Sequence, residues 1–124
     1  MTPKRIHSGG PFEPQVGYCR AVVAGNMVFV AGTCAQGDPA PSDVEGQCAS
    51  ALKVIGAALR EAGTDFAHVV RVTYYLKDIS EFERCWPQTR AAFGDHPPAS
   101  TAIEANLLDP HDRIEIEVTA VLPG

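Results

Sequence analysis

The chain has 124 residues, of which 45% are hydrophobic and 20% are charged, and its formal net charge is −5. This size suits a single domain, spanning residues 1–124, with a core of its own. Nucleic-acid binding draws its affinity from neutralised phosphates, so the acidic balance and the scattered basic residues argue against a nucleic-acid partner.

The sequence also argues against a membrane partner and a metal site. No segment approaches the run of about 18 apolar residues that spans a bilayer, and the N-terminal residues lack the apolar core of a signal peptide. We therefore expect a cytoplasmic protein. The four cysteines are widely spaced, with no histidine at zinc-binding spacing, so we expect them to be small core residues. Cys34 follows a predicted strand and is expected to be the most exposed thiol.

The first predicted elements in the chain are two strands, residues 20–23 and 27–31, joined at Gly25-Asn26. Glycine and asparagine tolerate the positive φ that a tight hairpin turn requires. Residues 32–42, which contain proline and glycine, are predicted to form a loop. The next element is predicted to be a helix that begins at Asp43, with Ser42 as its N-cap, and stops at Gly63. Its apolar residues recur every three or four positions and form one buried stripe, consisting of Val44, Cys48, Leu52, Ile55 and Leu59.

The second half of the chain predicts a strand, a helix and two further strands. Residues 70–76 alternate, and the buried set is predicted to be Val70, Val72, Tyr74 and Leu76. Ser80 with Glu83 forms a capping-box pattern for a helix that runs to Phe93, in which Pro87 implies a kink or a short first turn. Residues 101–105 and 114–122 are predicted to be the closing strands.

Two helices of this length can cover only one face of such a sheet. The other face is predicted to carry a mixture of polar and apolar side chains: Arg71, Thr73, Tyr75, Glu115, Glu117 and Val121. This mixture is too polar for a sealed core. We therefore expect the same face of sister subunits to cover it, which makes the protein a homo-oligomer.

Three segments carry a family resemblance: residues 25–27 at the hairpin turn, the Pro98-Ala99 pair before a strand, and the Ile-Glu-Ile-Glu run at 114–117. With the order of predicted elements, they make nearly all of the chain resemble the RidA/YjgF family. The resemblance implies an α+β, chorismate-mutase-like fold and a homotrimer that binds a small-molecule ligand in clefts between its subunits. It also implies hydrolysis of reactive enamines and imines, such as 2-aminoacrylate, without a metal or organic cofactor.

The resemblance also implies a set of site residues. Glu115 matches a catalytic glutamate that positions water, and Tyr18, Ala31 and Gly32 match residues that border the cleft. Ser100, followed by Thr101, stands where the deaminases carry an arginine that binds the substrate carboxylate. A guanidinium donates two parallel hydrogen bonds to a carboxylate and a hydroxyl donates one weaker bond, so the sequence resembles a divergent subgroup that lacks the arginine.

Each candidate residue also has a structural interpretation. Glu115 is either a partly buried general base or a strand glutamate that is solvated or paired with Arg71 or Arg113. The hydroxyls of Ser100 and Thr101 suit either a neutral ligand or local backbone groups. Tyr18 suits either the cleft or aromatic packing.

Two functions follow from these alternatives. The first is a cofactor-free deaminase or hydrolase of a small enamine, imine or related metabolite, in which Glu115 orients water and Ser100, Thr101 and Tyr18 shape the cleft. The alternative is a non-catalytic trimeric module that binds a small ligand or regulates a partner. Ribonuclease activity is disfavoured by the acidic charge. We expect neighbouring copies to bring Ser100 and Glu115 to the border of one shared cleft.

Overall fold

Six strands form one mixed sheet in the computed structural model, which describes residues 2–124. The strands are β1 (Lys4–Ile6), β2 (Ala21–Ala24), β3 (Met27–Thr33), β4 (Val69–Leu76), β5 (Ala99–Glu104) and β6 (Ile114–Val121). Their order across the sheet is β1-β2-β3-β6-β4-β5. The β4–β5 pair is parallel, and the other neighbouring strands are antiparallel. The latest strand in the sequence, β6, therefore lies inside the sheet between β3 and β4.

The two longer helices, α2 (Val44–Ala62) and α3 (Trp86–Phe93), lie on one face of this sheet, as the sequence predicts. The short helix α1 (Phe12–Val16) precedes β2, and two 3-10 helices lie at Phe66–His68 and Ile79–Cys85. The long helix α2 packs across β3 and β6, and α3 packs against α2. The protein is thus a mixed α+β domain with one covered and one open sheet face. Within residues 2–124, no helix combines the length and the apolar character needed to cross a membrane.

The sequence correctly predicts the hairpin turn and the core-facing residues of α2 and β6. Ala24 lies opposite Met27 across the predicted turn, where Gly25 has φ 60°. The whole predicted stripe of α2 is buried, and so are the four alternate residues of β6: Ile114, Ile116, Val118 and Ala120. Helix α2 and strand β6 each bury one face against the other, so their buried residues recur with the period of a helix and of a strand.

The N-cap of α2 is Asp43, so the prediction of Ser42 was wrong. Asp43 has extended dihedral angles, and its carboxylate accepts a hydrogen bond from the Gly46 amide at 3.1 Å. A charged acceptor at the positive end of the helix dipole binds this amide more strongly than a serine hydroxyl does. The helix stops as predicted at Gly63, which has φ 96°.

The alternation of β4 differs from the prediction at its first residue. Val70 was predicted to be buried and is 46% exposed, whereas Val69 is buried. The pairing of β4 with β6 shifts register between Val69 and Arg71. This bulge reverses the direction of the first side chains, while Val72, Tyr74 and Leu76 point into the core as predicted.

The single helix predicted from Ser80 to Phe93 was wrong. The chain forms the 3-10 helix Ile79–Cys85, which Asp78 caps by accepting from the Ser80 amide, and only then α3. Pro87 lies in the first turn of α3. A proline is compatible with that turn because its missing N–H has no partner there.

The strand β1 and the helix α1 were not predicted. They contain three and five residues, which is too short for a hydrophobic period to be recognised. The closing strands were predicted with small errors, since β5 begins at Ala99 rather than at residue 101.

Candidate functional site

On the open face of the sheet, the side chain of Glu115 lies directly against the backbone of Gly32. A Cβ atom added to Gly32 would overlap the carboxylate of Glu115. The ladder between β3 and β6 is interrupted between Val30 and Thr33, so Ala31 and Gly32 form a bulge beside β6. Such bulges redirect side chains and backbone groups next to functional sites. Position 32 therefore has to be glycine for Glu115 to keep its place.

The surroundings of Glu115 raise the pKa of its carboxyl group. Burial is the largest cause and repulsion from Asp112 the next; a hydrogen bond from Cys34 opposes them, Glu117 adds a smaller repulsion, and Arg20 lowers the pKa slightly. Burial likewise raises the pKa of the Asp112 carboxyl. A raised pKa is the direction of shift that a carboxyl group needs to act as a general acid–base near neutral pH. Across residues 2–124, no group of three or more His, Cys, Asp or Glu side chains is arranged to hold a metal ion.

The thiol of Cys34 lies beside the same two carboxyl groups. Cys34 and Cys19 are both half-buried, whereas Cys48 and Cys85 are buried, so Cys34 is one of the two more exposed thiols. Burial raises the pKa of Cys34, and the charges of Glu115 and Asp112 raise it further. The thiol therefore stays protonated and can donate to these carboxylates, so it does not have the thiolate character of a nucleophile.

A tyrosine stands across from Glu115 on the neighbouring strand. Tyr75 is the register partner of Glu115, and its hydroxyl donates to Oε1 of Glu117 at 2.5 Å. That hydrogen bond raises the pKa of Tyr75 to about 12. Tyr75 is thus a neutral group that fixes the position of Glu117 on the open face.

A buried arginine connects Tyr18 to the bulge. Arg20 is only 3% exposed, and its Nη1 donates to the Gly32 carbonyl and to the Thr33 hydroxyl, both at 2.9 Å. Its Nη2 donates to the Tyr18 hydroxyl at 3.3 Å. The backbone amide of Ala31 donates to the Arg20 carbonyl at 2.9 Å. Tyr18, Ala31 and Gly32 are therefore held together through one residue.

The charge of Arg20 is balanced by Glu13, which is also 3% exposed. Nη2 of Arg20 lies 3.9 Å from Oε2 of Glu13. Glu13 accepts from the Ser8 hydroxyl at 2.6 Å and from the Gly10 amide at 2.9 Å. Burial acts to raise the pKa of Glu13, but these hydrogen bonds and Arg20 outweigh it and lower the pKa overall. Glu13 is therefore charged, as a buried partner of an arginine should be.

The two predicted hydroxyl residues lie apart from Glu115 within one protomer. Ser100 and Thr101 are exposed on the edge strand β5, opposite Val72 and Thr73 of β4. Because β4 separates β5 from β6, the distance between their backbones is two strand spacings, about 10 Å. Thr101 is on the open face, whereas Ser100 shares the helix-covered face with Val72. A cleft that joins Ser100 to Glu115 across two copies stays a prediction.

The interpretation of Glu115 as a salt-bridged residue was wrong. Arg113 forms an ion pair with Glu81, whose Oε1 accepts from its Nε at 3.0 Å. In the part of the chain that the structure describes, no cation forms an ion pair with Glu115. The hydroxyl of Tyr18 is hydrogen-bonded to Arg20, which supports a place at the site more than simple aromatic packing.

No role at the site was predicted for Arg20, Asp112 or Tyr75. For Arg20, the one available signal was an arginine at the start of an apolar strand, which indicates a buried charge that needs acceptors. Its acceptors at Gly32 and Thr33 lie far along the chain, so the sequence does not identify them. The approach of Asp112 to Glu115 depends on the path of the loop before β6, which has no periodic pattern.

Comparison with known proteins identifies relatives over nearly the whole chain. The model of the family described as Endoribonuclease L-PSP matches residues 10–122. A RutC family protein of Pyrococcus abyssi is 35% identical over 107 residues, covering 83% of this chain and 84% of that protein. The 2-iminobutanoate/2-iminopropanoate deaminase of Rattus norvegicus is 33% identical over 108 residues, covering 84% and 79%. A Mycobacterium tuberculosis protein of the YjgF family has a crystal structure with a TM-score of 0.90 and 37% identity, covering 98% and 100%.

Proposed function

Because this chain belongs to the RidA/YjgF family, we propose that it is a cofactor-free hydrolase that converts a small imine or enamine to a carbonyl compound and ammonia. One observation carries the proposal: the half-buried carboxyl of Glu115, held against Gly32 with a raised pKa. Such a group can take a proton from water and return it within one turnover. The deaminases among the relatives support the same class of reaction.

The proposed reaction needs only water and Glu115. Water attacks the carbon of a protonated imine, the π electrons move to nitrogen, and the Glu115 carboxylate accepts the proton that the water loses. Glu115 then gives this proton to the amine nitrogen of the carbinolamine. Finally the hydroxyl proton returns to Glu115, the C=O bond forms, and ammonia leaves with the electrons of the C–N bond. The ammonia takes the proton from Glu115 and departs as ammonium, which restores the carboxylate. An enamine enters the same sequence after it tautomerises to the imine.

The cleft is proposed to form in a cytoplasmic homotrimer of the chorismate-mutase-like kind. Two large apolar side chains support an interface on the open face, since Phe29 is 47% and Ile103 is 42% exposed there. A second copy on this face would remove water from the surroundings of Glu115. In this arrangement Tyr18, Ala31 and Gly32 border the cleft with Glu115, and Thr101, on the open face of the edge strand, supplies a hydroxyl donor at its edge.

The test measures ammonia release from small imines and enamines generated in situ, with wild-type protein and the variant Glu115→Gln. We expect wild-type protein to accelerate at least one of them and the variant to lose at least a hundredfold, which is typical for removal of a general acid–base. Equal rates with both proteins would contradict the proposal. Binding of an imine that stabilises the trimer but is never hydrolysed would favour the non-catalytic module instead.

A further inference from the structure

Two further carboxyl groups lie near Glu115: Glu117 follows it by two residues on the same face of β6, and Asp112 lies in the loop before that strand. Asp112 and Glu117 both act on its pKa by repulsion, and Glu117 stays close because Tyr75 holds it. Cys34 adds a donor without charge. A ligand that reaches the carboxyl of Glu115 therefore meets three carboxyl groups contributed by β6 and the loop before it.

The arginines closest to these groups are engaged elsewhere. Arg20 directs its donors to Gly32, Thr33 and Tyr18, behind the bulge. Arg113 directs its guanidinium to Glu81 on the helix-covered side. Neither can form a bidentate contact with an anion beside Glu115 without breaking an interaction within the protein.

The remaining arginines of the open face lie at a distance. Arg71 is the register partner of Thr119, and Arg5 lies in the same row through Val22 and Phe29. Thr119 is four residues from Glu115 along β6, which corresponds to about 13 Å. Lys77, beyond the end of β4, is also engaged within the protein, because its Nζ donates to the Pro110 carbonyl at 2.8 Å.

From this distribution we propose that the site at Glu115 accepts imines and enamines that carry no carboxylate, in their protonated, cationic form. The inference rests on the function proposed above and names its substrate class. The carboxylates repel an anionic ligand, whereas they attract a cationic one. A protonated imine is also the form that water attacks most readily, so the charge that binds the substrate also activates it.

Binding is tested with a matched pair of planar ions, acetamidinium and acetate, titrated into the full-length protein at pH 7 and followed by the NMR signal of the Glu115 carboxyl carbon. We expect acetamidinium to bind at least tenfold more tightly than acetate. Asp112→Asn should weaken acetamidinium binding about fivefold, and Glu117→Gln provides a second variant should the first fail to fold. The control Glu61→Gln removes one charge from an exposed position on α2 and should change nothing.

Turnover is tested with 2-aminoacrylate and its methyl ester, which differ in the carboxylate charge. We expect the ester to be hydrolysed at least tenfold faster, and Asp112→Asn to narrow the ratio. If 2-aminoacrylate is hydrolysed faster than its ester and Glu115→Gln abolishes this activity, the hydrolase proposal stands and the proposed substrate class is wrong. If acetamidinium binds but neither compound is hydrolysed, the preference for a cationic ligand stands and the hydrolase proposal is wrong. Tighter binding of acetate, or binding of neither ion, would overturn the inference.

Discussion

Gly32 and Glu115 occupy one small space on the open face, and neither can change without affecting the other. The glycine lies in a bulge whose carbonyl is fixed by Arg20, so the backbone cannot easily move away. The side chain of Glu115 is the flexible partner of this contact. Substitution at position 32 should therefore act on the direction of a carboxylate more than on the stability of the fold.

We expect Gly32→Ala to displace the Glu115 carboxylate, because the new methyl group needs the volume that the carboxylate fills. The pKa of Glu115, measured by pH titration of the NMR signal of its carboxyl carbon, should be lower than in wild-type protein, since the displaced group becomes more hydrated. The melting temperature should change little. An unchanged titration of Glu115 in this variant would mean that the two residues are not in contact.

The raised pKa of Glu115 also affects stability. The folded state favours the protonated carboxyl, so its contribution is complete below the unfolded pKa of about 4.3 and is lost as the pH rises through the folded pKa. Glutamine does not titrate, so Glu115→Gln should melt at a higher temperature than wild-type protein at pH 8 and at a similar one at pH 3.5. Glu61→Gln is the control, for which we expect no such difference. A variant less stable than wild-type protein at pH 8 would show that Glu115 makes a favourable contact in its charged form.

At the scale of single elements, the caps and bulges decide where each strand and helix begins. Helix α2 has a strong apolar stripe, but its first residue is set by the Asp43 carboxylate and its last by the left-handed Gly63. The bulges at 30–33 and 69–71 likewise set which residues of β3 and β4 face the site.

Asp43→Ala should destabilise the protein by about 1 kcal/mol, because the Gly46 amide loses its side-chain acceptor. The neighbouring substitution Ser42→Ala is the matched control and should change the free energy of unfolding by less than about 0.5 kcal/mol. Urea unfolding measures both. A larger loss of stability in Ser42→Ala than in Asp43→Ala would show that Ser42 is the N-cap of α2, as the sequence predicted.

Periodic features of this fold could be predicted from the sequence, and features that depend on local contacts could not. The stripe of α2 and the alternation of β6 follow directly from burial on one side. The helix predicted from Ser80 was wrong because Asp78 caps a tighter turn and Pro87 starts a new helix. Glu115 and Gly32 were named through a family resemblance. Their contact and the role of Arg20 depend on a bulge that has no signal in the pattern.

At the scale of the whole molecule, the open sheet face predicts association. Phe29 and Ile103 expose apolar area there beside half-buried polar groups. The homotrimer proposed above would cover this area with the same face of sister subunits.

We expect sedimentation velocity to give a trimer for wild-type protein and a smaller species for Phe29→Asp, because a charge would be buried in the interface. Ile79→Asp is the matched control, since Ile79 is 42% exposed in the 3-10 helix on the covered side. That variant should remain trimeric. Dissociation caused equally by both variants would place the interface elsewhere.

The position of β6 has a consequence for synthesis on the ribosome. A nascent chain that has emerged as far as β5 possesses two separate pieces of sheet, β1-β2-β3 and β4-β5, whose inner edges have no partner. Only the arrival of β6 joins them, so the non-local pairing that completes the sheet cannot form before β6 has left the ribosome. Until then the edges of β3 and β4 are open to other chains, and a chaperone that shields strand edges would act in this interval.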